Sequence, residues 1–132
     1  MIVDSHCHLI HEKNLISVEE IIHNASKNNV KSFLNIATKS EEFDKSIELS
    51  EKYKCIYTSI GIHPHEASQM NDTIYNKIID FSNHEKIIGI GETGLDYFYN
   101  NALKEDQINS FERHIKLSQI TNLPIIIHSR DA

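Results

Sequence analysis

Short apolar stretches rich in β-branched residues begin near residues 2, 31, 55, 86 and 123, and longer segments of helical period separate them. The repeat is about 30 residues, enough for a strand, a crossover helix and their connections. Strands joined this way run parallel with right-handed crossovers, so the expected fold class is α/β with a parallel sheet. The strands are expected at 2–9, 31–37, 55–62, 86–92 and 123–128.

In the first connector Val18, Ile21, Ile22 and Ala25 recur at helical spacing, and Ser17 and Glu20 stand as a capping box at its start. The second connector, 40–52, keeps Phe43 and Ile47 on one stripe. A third helix is expected over 72–82 on Ile74, Ile78 and Phe81, and a fourth over 104–121 on Ile108, Phe111 and Ile115. No linker, low-complexity tract or internal sequence repeat interrupts residues 1–132, which read as part of one domain.

With 39% hydrophobic and 24% charged residues, the 132-residue chain has the composition of a globular protein with a real core. Thirteen basic against 19 acidic side chains give a net charge of -6. That balance excludes a sequence-blind nucleic-acid coat protein, which needs surplus Lys and Arg, but leaves room for a local cationic or metal-based phosphate site. Cys7 and Cys55 form no C-x-x-C pair, so neither a zinc knuckle nor a disulfide framework is expected, and a reducing, cytoplasmic setting is the simpler reading. Apolar runs are only a few residues long, and Asp4, His6 and His8 follow the first residues closely; no secretory leader or membrane span is expected. The compositional excess is nine histidines.

Five of them stand at the carboxyl ends of the expected strands, where parallel α/β folds build their active sites. Asp4, His6 and His8 share parity on the first strand, His63 and His65 follow the third, Glu92 ends the fourth on the parity of Ile88 and Ile90, and His128 ends the fifth on the parity of Ile126 and Arg130. Singly, each has a plainer reading. His6 and His8 alone fit two partly exposed imidazoles as well as a metal site; Glu92 fits a helix cap or an ion pair with Arg130; His128 fits a half-buried, satisfied histidine; His65 fits a cap on the turn after Pro64. His11, His23, His84 and His114 read as solvated surface groups. Ligand-type residues at one edge of four separate strands favour the joint reading. Imidazoles and a carboxylate suit Zn, Mn or similar divalent ions, a glutamate between two histidine clusters can bridge two of them, and a pair of ions serves phosphodiester hydrolysis. Arg130 could clamp a phosphate oxygen with its planar fork. Lys104 and Tyr97, near the same edge, could support a strand backbone or stack a base, and Lys104 equally fits an exposed lysine at a helix start.

The segments DSHCHL (4–9), GIHPH (61–65), GETGLDY (91–97) and LPIIIHSRDA (123–132) resemble, in order and spacing, the successive signatures of the TatD family of metal-dependent hydrolases. The resemblance spans essentially the whole chain. It implies a (β/α)8 barrel of the TIM type, here an incomplete barrel of about five strands and four helices. It also implies deoxyribonuclease activity on DNA with two divalent ions (Zn, Mn or Mg). His6 and His8 would hold the first ion, Glu92 would bridge the two, His128 would bind the second, and His63 would contact substrate or water. Dihydroorotase-like relatives commonly carry a modified lysine where this chain has Glu92.

Family members supply a further metal-binding histidine after the sixth strand and an aspartate after the eighth, and no residue among these 132 can be assigned either role. The expectation is therefore an amino-terminal part of a barrel, with weak metal binding and little nuclease activity alone. Its unpaired edges are expected to favour self-association. His114 stands where relatives often have glutamine. Two further readings use the same residues: a hydrolase of small-molecule amides or esters, and a non-catalytic half-barrel that survives as a dimer.

Overall fold

The apolar runs form five strands, β1 (Ile2–Cys7), β2 (Val30–Ile36), β3 (Ile56–Ile60), β4 (Ile87–Asp96) and β5 (Ile125–Arg130), and the connectors carry α1 (Val18–Lys27), α2 (Phe43–Lys52), α3 (Asp72–Phe81) and α4 (Lys104–Thr121). The computed structural model describes residues 1–11 and 14–132. All pairings are parallel, and the strands lie in chain order, β1-β2-β3-β4-β5, as a curled half-barrel. Short 3-10 turns, Ser40–Glu42 and Pro64–Gln69, precede α2 and α3. None of the described helices is long and apolar enough to cross a membrane.

Local chemistry sets the helix starts. The Ser17 hydroxyl accepts the Glu20 N–H at 3.2 Å, as the capping-box spacing predicts, and Asn71 accepts the Ile74 N–H at 3.0 Å to open α3. The stripe of α1 packs against Phe33 and Ile56. A larger cluster joins Ile60, Ile62, Ile87 and Ile90 to Phe43 of α2, Ile78 of α3 and Leu117 of α4. Each of these side chains contributes roughly 1.5–3 kcal/mol by leaving water, so the sheet is anchored most firmly at β3 and β4. The outer strands are barer: Ile2 and Val3 on β1 are 52% and 54% exposed, and Ile127 on β5 is 57% exposed.

Sequence expectations change at α4 and β4, and at two of the histidines read as solvated. The buried face of α4 is Gln107, Ser110, His114 and Leu117, whereas Ile108 and Ile115 are exposed. His114 is fully buried rather than solvated, because its ring spans two backbone groups: Nδ1 lies 2.7 Å from the Ser110 carbonyl oxygen, and Nε2 accepts the Ile62 N–H at 3.0 Å. His84 is half-buried, with Nδ1 accepting the Lys86 N–H and Nε2 facing Glu51. Strand β4 runs to Asp96, four residues past the expected end. Its side chains do not alternate strictly either. Register shifts at Thr58/Ser59 and at Ile90/Thr93 put Ile88, 39% exposed, and Ile90, fully buried, in different surroundings despite their shared parity.

Candidate metal centre

At the carboxyl edge of β1 the chain bends under a register irregularity between Asp4 and Cys7. Cys7 turns to the helix side, donating to the Leu34 carbonyl oxygen at 3.4 Å. His6 and His8 flank it, with ring centroids 5.3 Å apart. The Ile36 carbonyl oxygen lies 3.2 Å from His8 Nδ1. That bond requires the proton on Nδ1, so Nε2 keeps its lone pair for a ligand. Asp4 accepts the His6 N–H at 3.2 Å, and Asn35 accepts the Leu9 N–H at 2.9 Å, fixing the turn that follows.

Glu92, 7% exposed, lies between two histidine groups. Its Oε2 is 3.3 Å from His6 Nε2, and its Oε1 is 3.1 Å from His128 Nδ1. Glu92 therefore faces imidazoles on both sides and makes no ion pair with Arg130 among the described residues. Ligand atoms of His6, His8 and Glu92 all fall within 4.8 Å of one another, as do those of His63, Glu92 and His128.

Asp96 organises the second group. It is completely buried, and its Oδ2 accepts from His128 Nε2 at 3.0 Å and from His65 Nε2 at 2.8 Å. Its Oδ1 accepts the N–H groups of Phe98 and Tyr99. Burial pushes the carboxyl pKa up, but the Tyr99 N–H and the two imidazoles outweigh it and hold Asp96 well below the usual carboxylate range. The consequence for His128 is chemical: the proton sits at Nε2, and the Nδ1 lone pair faces Glu92 Oε1. Two acceptors 3.1 Å apart are what a cation between them would satisfy. The donor set and its locked tautomers fit a divalent metal.

The turn after Pro64 is capped by His63 and not by His65. His63 caps the 3-10 turn, its Nδ1 accepting the His65 N–H at 3.1 Å, while His65 reaches across to Asp96. With Nδ1 occupied by the cap, a neutral His63 carries its proton at Nε2, 3.3 Å from His128 Nδ1. Burial lowers the His63 pKa to about 4, only partly opposed by Glu92, so the ring is neutral near pH 7.

The buried polar face of α4 now has a reason. Gln107 Oε1 accepts the Asp96 N–H at 2.8 Å and its Nε2 donates to the Asp96 carbonyl at 3.1 Å, while His114 holds the backbone of Ile62, next to His63. Two glycines of the GETG segment let β5 approach. At φ +129° and +144°, Gly91 and Gly94 occupy a region that favours glycine, and a Cβ on Gly94 would collide with the His128 carbonyl oxygen.

These side chains open onto a cleft of about 340 Å³ lined by His8, His63, His65, Glu92, His128 and Arg130. The Arg130 guanidinium lies over the Tyr99 ring at 5.1 Å, and Lys104, exposed at the start of α4, places Nζ 4.3 Å from the Tyr97 centroid. Asp96 and Gln107 are site residues that the sequence reading did not name, and His65 was read as an edge histidine capping a turn. Asp96 was missed because the fourth strand was ended at Glu92, although Asp96 stands four residues beyond it on the same nominal parity.

A family model described as TatD related DNase matches residues 3–132. A metal-dependent hydrolase of Bacillus subtilis, YabD, is 37% identical over the whole chain, which covers 52% of that protein. The 3'-5' ssDNA/RNA exonuclease TatD of Salmonella typhimurium is 28% identical over 86% of the chain and 44% of its own length. The crystal structure of YJJV, a TatD homologue from Escherichia coli, superposes on 98% of the chain and 51% of its own with a TM-score of 0.86 and 28% identity. The chain thus spans about half the length of the curated relatives it matches.

Proposed function

The chain belongs to the family of TatD-related DNases, and from that premise we propose that it supplies most of the metal-binding face of a hydrolase that cleaves phosphodiester bonds in single-stranded DNA or RNA from an end. The observation that carries this reading is the placement of Glu92, with one carboxylate oxygen toward His6 and the other toward His128. A carboxylate so placed suits a bridge between two ions. His6 and His8 would hold one ion through Nε2, and His128 would hold the other through Nδ1. Two such ions supply Lewis-acid polarisation of the phosphoryl group and an acidified water at neutral pH.

The chain's own side chains do the rest. Asp96 keeps a proton on His128 Nε2 and so keeps Nδ1 available. Neutral His63 holds its Nε2–H beside His128 Nδ1 at the cleft, and with an ion on that nitrogen the donor would be released toward a substrate oxygen or water. Arg130 lines the same cleft and offers a planar pair of donors to a phosphate oxygen, which would restrain the phosphodiester against the ligand groups.

Metal retention is the primary readout, with turnover second. Equilibrium titration with Zn2+ or Mn2+ against a metal-sensitive dye is expected to show weak binding of up to two ions per wild-type chain, and Glu92→Ala is expected to lose both. Any release of nucleotides from a labelled single-stranded oligonucleotide should be slight and should require both metal and Glu92. Unchanged metal retention in Glu92→Ala, or activity on cyclic amides with none on oligonucleotides, would overturn the reading.

A further inference from the structure

The segment between β4 and α4 presents an exposed aromatic corner beside the cleft. Phe98 and Tyr99 are 60% and 53% exposed, and their rings meet edge to face with centroids 4.8 Å apart and planes at 87°. The turn that bears these rings is anchored. Asp96 Oδ1 accepts the N–H of Phe98 at 3.2 Å and that of Tyr99 at 3.0 Å, while its Oδ2 holds His65 and His128. One buried carboxylate therefore fixes the aromatic corner at a set distance from the candidate metal ligands. Two more contacts tie the corner to the cleft. His65 stands edge-on to Tyr99 at 5.5 Å, and the Arg130 guanidinium lies over the Tyr99 ring at 5.1 Å. The Tyr97 N–H in turn donates to the Arg130 carbonyl oxygen at 2.9 Å, joining the segment to the end of β5.

We infer that Phe98, Tyr99 and Arg130 form a nucleobase subsite, which receives the base of the nucleotide whose phosphate lies at Glu92 and His128. The inference rests on the nucleic-acid reading above and deepens it by naming the residues that receive the terminal base. A base stacks on one ring face and meets the edge of the other ring, the geometry aromatic pairs favour. Arg130 serves both parts of the nucleotide, because its guanidinium can lie against a π-face while its N–H edge reaches a phosphate oxygen. A base held in a duplex already has both faces covered, so it must unstack before it can enter. Stacking of this kind is tolerant of base identity, so discrimination between strand states is expected, and discrimination among the four bases is not.

The chain contains no tryptophan, so Tyr99→Trp places a single indole at the corner as a reporter. The probes are two single strands of equal length with hydrolysis-resistant phosphorothioate linkages: one of thymidines, and one abasic at its terminal nucleotides. Indole emission should change on adding the thymidine strand and stay constant with the abasic one. Tyr99→Ala should bind the thymidine strand roughly tenfold more weakly, bind the abasic strand as the wild type does, and keep its full complement of Mn2+. Tyr99→Phe should retain thymidine-strand binding. A blunt duplex should compete poorly with the wild type and no worse than before with Tyr99→Ala. Equal weakening of both strands in Tyr99→Ala, or the same indole response to both strands, overturns the subsite while leaving the metal-site reading intact. Failure of both strands to bind the wild-type chain overturns the subsite together with its nucleic-acid premise.

Discussion

The two groups that share Glu92 are built on different parts of the sheet. His6 stands on β1, an outer strand, with His8 just after it, and the His6 side chain is 43% exposed. His128 stands on β5, the other outer strand, and His63 follows β3, yet the His128 side chain is only 15% exposed. Behind His128 lies a buried carboxylate, and behind that lies Gln107, which holds the Asp96 backbone in both directions. Behind His6 lies one bond from its own N–H to Asp4 at the surface. A ligand whose ring is locked by buried partners loses little freedom on binding an ion, whereas an exposed one must be ordered at that moment. The second group is the preformed one, and the first is adjustable.

Glu92→Ala is the largest break, since it removes the residue both groups share. Metal analysis should show loss of both ions and a fall in any hydrolysis by about 100-fold or more. Loss of one ion alone would mean that the groups are independent and that Glu92 does not couple them.

The next effect tests the packing under the inner group. Burial lowers the His114 pKa from the usual 6.5 to about 4, because the ring is sealed between the Ser110 carbonyl and the Ile62 N–H. The unfolded chain takes up a proton near pH 6.5 that the folded chain refuses until about pH 4. Stability should therefore be level above neutrality and fall by roughly 3 kcal/mol as pH drops through that window. His114→Gln keeps an acceptor and a donor in a similar place but cannot titrate. Denaturant melts at pH 7.5, 5.5 and 4.5 should show a flatter profile for the variant, with a residual slope from His63, whose pKa is lowered in the same direction. A slope unchanged by His114→Gln would place the proton uptake elsewhere.

Why the outer group was legible in sequence and the buttress of the inner one was not follows from the same contrast. An H-x-H pair on a strand is a local pattern, and so is the Ser17–Glu20 capping box; each depends on residues a few positions apart. The strands, their parallel order and the five edge histidines were legible for that reason. Asp96 acquires its role through partners 31 and 32 residues away, and two register shifts break the alternation that would have aimed it. For α4, apolar spacing pointed to Ile108, Phe111 and Ile115, but the helix turns Gln107 and His114 inward because strand-end backbone groups need partners there. Satisfying a buried amide outweighs burying one more isoleucine when the alternative is an unpaired polar group. Periodicity counts apolar residues and does not register such a demand.

Asp96→Asn tests the buttress of the inner group. The amide is isosteric and keeps one acceptor, so the fold should survive. The charge that holds both imidazole N–H groups is gone, and metal affinity at the His128 group should fall roughly 10- to 100-fold. Retention at the His6–His8 group should be unchanged. Equal weakening of both groups would show that the centre is a single rigid unit and that the contrast between them is false.

The smallest effect belongs to the corresponding carboxylate of the outer group. Asp4 accepts the His6 N–H at 3.2 Å on an exposed strand, where water can replace the bond at little cost. A hydrogen bond to a surface carboxylate, where water competes for both partners, contributes about 1 kcal/mol, and here it acts on the backbone of His6 rather than on its ring. Asp4→Ala should therefore weaken the His6–His8 group by about threefold or less, as read by competition with a metal-sensitive dye, and leave the His128 group unaltered. Set beside Asp96→Asn, the pair asks whether depth of burial decides what a supporting carboxylate is worth. A loss in Asp4→Ala as large as that in Asp96→Asn would mean that strand geometry at the β1 edge, rather than burial behind the ligand, sets the affinity of the centre.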